Sequence, residues 1–194
     1  KRIDRLIDGL FFRKRHEADL RLSRITASLP HASNADSVDQ ILVREPLEAW
    51  KLASAALFRR ADAGPFVRRA ARGWNDSSAS SFDPDDTLFL QLQSEVEPIQ
   101  IASLGWSPQG IPAGDAQPAL AVPIFVRRKL IAVALYGAHE SGEDFDADKI
   151  RLLKALALSG AVAYDHLDAE ALRLRVAELE RLLAQNASGI SART

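Results

Sequence analysis

The sequence predicts an α+β domain built on a central antiparallel sheet, with a long helix of coiled-coil character at each end. Two apolar segments, residues 119–126 and 130–139, are joined by a short cluster of cations, which is typical of a β-hairpin inside a domain. A second pair of segments, residues 52–60 and 66–74, flanks the turn formers of residues 62–65. Near both termini, apolar residues recur at spacings of three and four residues, which indicates amphipathic helices.

The composition favours one folded unit with appendages and excludes several kinds of chemistry. The 194 residues are 47% hydrophobic, which is enough to bury a core of ordinary size. Lys and Arg number 25 against 26 Asp and Glu, so bulk charge does not recruit nucleic acid. The absence of cysteine excludes disulfides, thiolate catalysis, cysteine-ligated zinc and a thioether-linked chromophore.

The chain carries no signal for a membrane span or for secretion. No apolar run approaches the ~20 residues that a membrane helix needs, and no signal peptide precedes the fold. We therefore expect a soluble, cytoplasmic domain. Because the sequence begins at Lys1 without an initiator methionine, we expect a fragment of a longer protein.

Residues 1–29 predict one amphipathic helix, which Pro30 ends. In one interpretation this helix is solvated and its apolar stripe pairs with a partner helix. In the other, the cations of residues 1–15 mark a juxtamembrane linker that follows a membrane segment before Lys1 and tethers the protein to the inner membrane. Both interpretations can hold together. The stripe residues that we assign to a homodimer are Ile3, Ile7, Leu10, Leu22 and Ile25.

A second helix follows the first, with Asn34 or Asp36 as its expected N-cap. Pro46 is expected to end or restart this helix, because proline has no N–H for the helical hydrogen bond. The first pair of strands comes next, so the sheet is expected to begin directly after the helix.

Loop formers dominate residues 75–117. Within them we expect a short helix, with Asp83 as its cap and Pro84 in its first turn, and a strand in residues 98–104. Loops of this length in a compact domain are usually functional or mobile.

The cations Arg127, Arg128 and Lys129 are predicted to form the turn of the central hairpin. The simplest interpretation is a solvated turn between two core strands. The alternative is a contact with a partner or with a phosphate group.

Residues 147–186 predict a continuous helix, roughly 60 Å long at ~1.5 Å per residue. Asp144, Asp146 and Asp148 at its start are interpreted as caps of free N–H groups rather than calcium ligands, because the glycine and the distal glutamate of a calcium loop are missing. This helix must project beyond the domain, and its heptad seam needs a partner helix. The seam residues are Leu172, Val176, Leu179 and Leu183.

Residues 122–137 (VPIFVRRKLIAVALYG), Phe145 and the small residues up to Ala163 resemble the C-terminal half of a GAF domain, a small-molecule-binding sensory module of signalling proteins. The resemblance implies a GAF-like antiparallel sheet with helices packed on one face and a ligand pocket on the other. It divides the chain into a linker or signalling helix at residues 1–29, a sensory domain at residues 30–167, a coiled-coil helix at residues 168–186 and a flexible tail at residues 187–194.

The best-known chemistries of that family are mostly unavailable to this sequence. Covalent bilin attachment and methionine sulfoxide reduction use cysteine there, and this chain has none. The signature of the cyclic-nucleotide-binding members has no counterpart, so the cofactor or ligand stays unidentified. A haem-binding member needs an axial ligand, for which His139 at the end of the last strand is the one histidine worth testing, although we expect it at the surface.

No local motif indicates catalysis or metal binding. The sequence contains no glycine-rich phosphate loop, no paired-histidine zinc motif and no nucleophile elbow. If a pocket exists, we expect its walls to come from inward side chains of the sheet and from the middle loops, and a one-residue slip in register would turn half of them outward. The candidates are Phe66, Arg68, Trp74, Phe82, Trp106, Phe125 and Tyr136.

The sequence thus predicts a non-catalytic GAF-type domain of a larger bacterial signal-transduction protein, which senses a small molecule or relays a signal. It dimerises through its N- and C-terminal helices and passes a rotation or register change to an output domain beyond Thr194. One alternative is a ligand-free dimerising spacer, which a pocket filled by its own side chains would favour. The other is a hydrolase, which a cleft placing His139 beside Ser and Asp would favour.

Overall fold

The structure, a computed structural model, describes residues 16–60 and 63–191, with side chains up to residue 185. The predicted dimer contacts Ile3, Ile7 and Leu10 lie outside the described residues. In the part of the chain that is described, no helix is long and apolar enough to span a bilayer.

Six strands of the described residues form one sheet in which every neighbouring pair is antiparallel. The strands are β1 (Ala55–Arg60), β2 (Phe66–Arg72), β3 (Ser81–Phe82), β4 (Ile99–Gln100), β5 (Pro118–Val126) and β6 (Lys129–Gly137). Their order across the sheet is β3-β2-β1-β6-β5-β4, so the two predicted hairpins lie side by side and join through β1 and β6. The predicted antiparallel sheet is confirmed.

The turn between β5 and β6 is shorter than the sequence predicts. Val126 pairs with Lys129, so Arg127 and Arg128 alone form the turn and Lys129 already belongs to β6. Arg127 has a φ of 49° and Arg128 a φ of 67°. Positive φ at both central residues is the pattern of a type I′ turn, which fits the twist of the strands but which Asn and Gly adopt at lower cost.

Three helices pack on one face of the sheet and enclose an apolar core. They are α1 (residues 16–28), α2 (Ala35–Trp50) and the first part of α5 (Ala147–Ser191). Asn34, one of the two expected caps, accepts a hydrogen bond from the Ser37 N–H at 2.8 Å. The residues of this core include Leu22, Leu29, Val38, Leu42, Leu57, Val122, Ala134, Tyr136, Leu153, Leu156 and Tyr164.

The expectation that Pro46 ends or restarts the second helix is wrong, because Pro46 lies inside the continuous helix α2. A proline at this position leaves the carbonyl of Leu42 without its helical donor. The Tyr136 hydroxyl on β6 donates to that carbonyl at 2.8 Å, so a contact across the core replaces the missing backbone bond.

The other face of the sheet is covered by the short helix α3 (Thr87–Glu95), by α4 (Ile101–Leu104) and by the loops around them. Asp86 caps α3 by accepting from the Leu88 N–H at 3.0 Å, so the helix starts later than the predicted cap at Asp83. The strand predicted within residues 98–104 is reduced to β4, because α4 begins directly at Ile101.

Helix α5 starts at a capped end and runs far beyond the sheet. Asp146 accepts from the Lys149 N–H at 2.8 Å, as expected for a cap. At ~1.5 Å per residue, the 45 residues of α5 give a length of about 67 Å. The helix extends to Ser191, so residues 187–191, which the sequence assigns to a flexible tail, continue α5.

Helix α1 packs against its own domain, which corrects one part of the predicted dimer contact. Leu22 is only 1% exposed and lies in the core with residues of α2 and α5, and Ile25 packs partly buried against the same core. The side chains of Arg21 and Asp19 also bind α2, at Glu45 and at the indole of Trp50. Leu22 is therefore not available to a partner helix.

Candidate functional site

The sheet face expected to hold a ligand is filled by aromatic side chains of the chain itself. Phe66 stacks against Phe89 with ring centroids 4.5 Å apart, and Phe82 lies 4.8 Å from Phe58 and 5.3 Å from Trp106. All five side chains are buried. Aromatic pairs at these distances are mutually stabilising, so they form a packed core where the sequence predicts a cavity.

The structure brings six of the seven predicted pocket residues to this face. Phe66, Phe82 and Trp106 are buried in it, and Trp74 and Phe125 are partly buried at its border. Arg68 lies over the Trp74 ring at 5.9 Å and donates to the Asn75 carbonyl at 3.3 Å. A contact between these residues and a ligand stays a prediction.

Tyr136 is the exception among the predicted pocket residues, because it faces the opposite side of the sheet. It lies in the core under α2, where burial raises the pKa of its hydroxyl above the usual value. Its neighbour Leu135 faces the aromatic side instead. Successive side chains alternate between the two faces of a strand, so the predicted register of β6 is displaced by one residue at this point.

The two tryptophans of the aromatic face differ in how their N–H groups are satisfied. Trp106 donates from Nε1 to Asp86 Oδ1 at 2.7 Å, so Asp86 both caps α3 and anchors the loop that carries Trp106. The Nε1 of Trp74 is buried and has no hydrogen-bond partner among the described residues. A smaller cleft of about 430 Å³ runs beside Trp106, between α4 and Phe145.

A cleft with a volume of about 850 Å³ lies at the turn end of the sheet. It is open to solvent, and it lies where the ends of β1, β5 and β6 meet α5. Among the predicted pocket residues only Phe125 lines it. The residues around it are Ala35, Arg59, Arg60, Ala63, Gln93, Phe125, Arg128, Lys129, Leu130, Ile131, Tyr164, Leu167 and Asp168.

One wall of this cleft is a buried network that the sequence analysis did not find. Asp39 on α2 is almost fully buried and accepts two hydrogen bonds of 2.9 Å from Arg59, one from Nε and one from Nη2. Tyr164 on α5 donates from its hydroxyl to the same carboxylate, and the Arg59 guanidinium lies 5.3 Å from the Tyr164 ring centre. The network ties α2, β1 and α5 together.

The electrostatics of this network favour a charged Arg59 and a neutral Tyr164. Burial opposes the charge of Arg59, but the hydrogen bonds and the negative charge of Asp39 outweigh it and raise the pKa of the guanidinium. Burial, together with the charge of Asp39, raises the pKa of the Tyr164 hydroxyl. No sequence signal could identify this wall, because Asp39 and Arg59 lie on different elements and neither belongs to a motif.

His139 is buried, which contradicts the expected surface position. Its Nδ1 lies 3.1 Å from the Trp50 carbonyl and its Nε2 lies 3.3 Å from Lys149 Nζ, so the ring donates to the carbonyl and accepts from the ammonium. Lys149 also pairs with Glu143 at 3.2 Å. Burial and then the charge of Lys149 lower the pKa of His139.

Both ring nitrogens of His139 are already used, so the haem ligation considered from the sequence has no free donor atom here. Neither of its two hydrogen-bond partners is the serine or aspartate that a hydrolase site requires. Within the described ranges, no group of three or more His, Asp or Glu side chains is placed to hold a metal ion.

The projecting part of α5 exposes a line of apolar side chains. Leu172, Val176, Leu179 and Leu183 are 48–68% exposed and follow a spacing of four, three and four residues. The same spacing, continued backwards, passes through Ala169 and Asp165 before it reaches Val162 and Leu158, which are also exposed although they lie on the part of α5 that packs against the sheet. We call this line, from Leu158 to Leu183, the α5 seam.

No model of a known protein family matches the chain, and no curated protein matches it. Solved structures do share its fold. The GAF domain of a phosphoenolpyruvate-protein phosphotransferase from Acinetobacter aligns with a TM-score of 0.62 and 19% identity, over 77% of this chain and 93% of that one. A GAF domain/HD domain protein from Geobacter sulfurreducens aligns with a TM-score of 0.58 and 18% identity, over 73% and 98% of the two chains.

A third similar structure is an enzyme. Free methionine-R-sulfoxide reductase from Neisseria meningitidis, solved with its substrate, aligns with a TM-score of 0.62 and 13% identity, over 77% of this chain and 89% of that one. The three proteins share one architecture although their names describe different activities. The described chain therefore has the GAF-domain fold.

Proposed function

We propose that this chain is a non-catalytic regulatory GAF domain that relays a signal through helix α5 in a homodimer. The single observation that carries the proposal is the double role of α5. Its first part supplies Leu153, Leu156 and Tyr164 to the core of the domain, and its second part is exposed to solvent. One rigid element thus leads from the interior of the domain to a surface that needs a partner.

The α5 seam is the surface through which we expect the two chains to pair. Apolar residues at alternating spacings of four and three residues form the contact line of a left-handed coiled coil. Exposed apolar side chains in such a line are unfavourable in water, and pairing with a second copy would bury them. The seam begins at Leu158, on the domain itself, so a change in the packing of α5 would move the paired helices directly.

The absence of cysteine supports a non-catalytic role, because this chain cannot perform cysteine-based reduction of a sulfoxide. The GAF domains of the phosphotransferase and of the GAF/HD protein are parts of multidomain proteins by their names, which supports a regulatory role within a larger chain. We propose a cytoplasmic location, tethered to the membrane through the N-terminal side, and an output domain that follows Thr194.

A ligand-free relay or spacer is the second candidate, and one observation favours it. Among the described residues, the space between α3 and the sheet is packed by Phe58, Phe66, Phe82, Phe89 and Trp106, whose rings lie against one another. In this second candidate function, the domain transmits the motion of its flanking helices without binding a small molecule at the aromatic face.

Sedimentation equilibrium with two matched variants tests the dimer. Leu179→Lys places a charge in the α5 seam, and Leu174→Lys places the same charge on an exposed leucine outside it. We expect Leu179→Lys to weaken dimerisation by about tenfold or more, since a buried charge in the seam is costly, while Leu174→Lys leaves it unchanged. Equal effects of both variants, or a wild-type monomer at micromolar concentration, would contradict the proposal.

A further inference from the structure

We propose that the open cleft at the turn end of the sheet binds a small organic polyanion, whose anionic groups are phosphates or carboxylates. The cleft combines several cations, a fixed polar wall and apolar lining residues in one site. It borders the packed aromatic core described above at Phe125 and Leu130.

Cations dominate the rim of the cleft. Among the described residues, Arg59, Arg60, Arg128 and Lys129 line it together with Asp168, while Asp39 and Asp36 pair with Arg59 beside it. Arg128 and Lys129 are exposed to solvent and form no ion pair with a described residue. Since the chain as a whole has a net charge of −1, this concentration of positive charge is local rather than a general property of the surface.

Arg59 is a cation held in a fixed position. Asp39 occupies its Nε and Nη2, and the Tyr164 ring supports the plane of the guanidinium. Asp36 adds a longer contact to Nη2 at 4.0 Å. Because the fork of Arg59 is occupied by Asp39, this residue contributes to the cleft as an ordered positive charge at a fixed place rather than as a free pair of donors.

The turn that carries Arg128 is strained. Arg127 and Arg128 both have positive φ, a region that residues other than glycine rarely adopt. Arg127 forms an ion pair with Asp165 on α5, with 2.8 Å between Nε and Oδ1, but both side chains are largely exposed, so the pair links the turn to the helix only weakly. The turn thus keeps a positive charge at a position where Asn or Gly would be more stable, which fits a turn whose role is to bind an anion.

The size and the floor of the cleft favour a small molecule over a polymer or a bilayer. Its volume of about 850 Å³ lies in the range of sites for drug-sized ligands, ~300–1,000 Å³. Phe125, Leu130 and Ile131 add apolar atoms to its lining, Leu130 from the aromatic side of the sheet and Ile131 from the helix side. A concave site with an apolar lining and a charged rim suits an organic anion with a carbon skeleton, whereas a membrane surface requires a convex or flat cationic face.

The cleft also reaches α5 at the place where that helix leaves the domain. Tyr164, Leu167 and Asp168 line it, one to two turns before Leu172, the first seam leucine of the projecting part of α5. An anion between Lys129 and Tyr164 would therefore bridge the sheet and the helix. This coupling rests on the proposed function, while the binding itself rests only on the cleft.

Isothermal titration calorimetry on the full chain tests the binding, with inorganic pyrophosphate and citrate as separate probes at a fixed ionic strength of about 0.15 M. The test variant is Arg128→Gln/Lys129→Gln. The control is Arg69→Gln/Arg72→Gln, which removes the same charge from exposed positions on β2 away from the cleft. We expect saturable binding of at least one probe, weakened about tenfold or more in the test variant and unchanged in the control.

The two probes distinguish a phosphate ligand from a carboxylate ligand by which one binds more tightly. Failure of both probes to bind at about 10 mM would overturn the proposal, as would equal weakening in the test and control variants. Binding to vesicles of anionic phospholipid by the wild type, lost in the test variant without any binding of the soluble probes, would overturn it in favour of a membrane contact.

The same titration on Leu179→Lys separates this proposal from the proposed function. If that variant binds the probe as the wild type does, the cleft is a site irrespective of dimerisation. If it is monomeric and has lost binding, the cleft is not a site of the single domain and the proposal is overturned. A shift of the wild-type dimerisation constant by the probe would support the coupling to α5.

Discussion

The hydroxyl of Tyr136 donates a hydrogen bond of 2.8 Å to the carbonyl of Leu42, the acceptor that Pro46 leaves without a helical partner. The two residues are 94 positions apart in the chain. A contact between the sheet and α2 thus allows a proline inside a buried helix, and it also fixes the position of α2 on the sheet.

A double-mutant cycle tests this compensation. Tyr136→Phe is expected to lower the free energy of unfolding by about 1–2 kcal/mol, because it leaves the Leu42 carbonyl buried without a donor. In a Pro46→Ala background the new N–H of residue 46 can bond that carbonyl, so Tyr136→Phe should cost much less there. Urea unfolding of the four proteins measures the difference, and an equal cost in both backgrounds would show that the two positions are not coupled.

The C-terminal end of α3 is strained at Val96, which has a φ of 60° and is mostly exposed. A β-branched residue is unfavourable in the left-handed region, and glycine is not. We expect Val96→Gly to raise the free energy of unfolding by about 1 kcal/mol and the melting temperature by roughly 2–4 °C. Val96→Ala, which keeps a Cβ at the same φ, is the control and should raise the free energy of unfolding much less. A melting temperature that falls with the glycine would disprove the strain.

The buried His139 should make stability depend on pH in a defined window. Burial and the charge of Lys149 lower its pKa in the folded state, while the hydrogen bond to the Trp50 carbonyl and then the charges of Glu143 and Asp146 act more weakly in the opposite direction. The unfolded chain therefore takes up a proton first, near its ordinary value of 6.5, and the folded chain only at lower pH. The stabilisation by neutral His139 is present above about pH 6.5 and decreases as the pH falls towards the folded-state pKa.

Urea unfolding between about pH 8 and pH 5 measures this effect. We expect the stability of His139→Gln to decrease less steeply towards acid than that of the wild type. His166→Gln, at an exposed position on α5, is the control and should keep the wild-type slope. Identical slopes for the wild type and His139→Gln would remove His139 as the origin of the acid sensitivity.

Both hairpins and the long C-terminal helix are predictable from the sequence, because their signals are local. Alternation and apolar runs identify the strands, and the heptad spacing identifies α5. The helix end predicted at Pro46 is wrong for the same reason. The rule that proline ends a helix considers only neighbouring residues, whereas the donor that replaces the missing N–H, Tyr136, lies on a distant strand.

The candidate site is less predictable, since it depends on side chains that meet only in the folded chain. The Asp39–Arg59 pair joins α2 to the end of β1, and the buried position of His139 results from the meeting of α2 with the start of α5. The face of the sheet on which Tyr136 lies depends on strand register, which a sequence pattern fixes only to within one residue. The charge of the turn at Arg127 and Arg128 is visible in the sequence, but its positive φ values are not.

The most direct test of the central claim is disulfide cross-linking of single-cysteine variants, for which the cysteine-free chain is an ideal background. Two helices paired in parallel and in register bring both copies of a seam residue close enough for a disulfide. Under mild oxidation we predict that Val176→Cys forms a covalent dimer quickly, whereas Leu174→Cys, on the outer side of the same helix, does not. Equal cross-linking of both variants, or none in either, would contradict a GAF domain that relays its signal through a parallel pair of α5 helices.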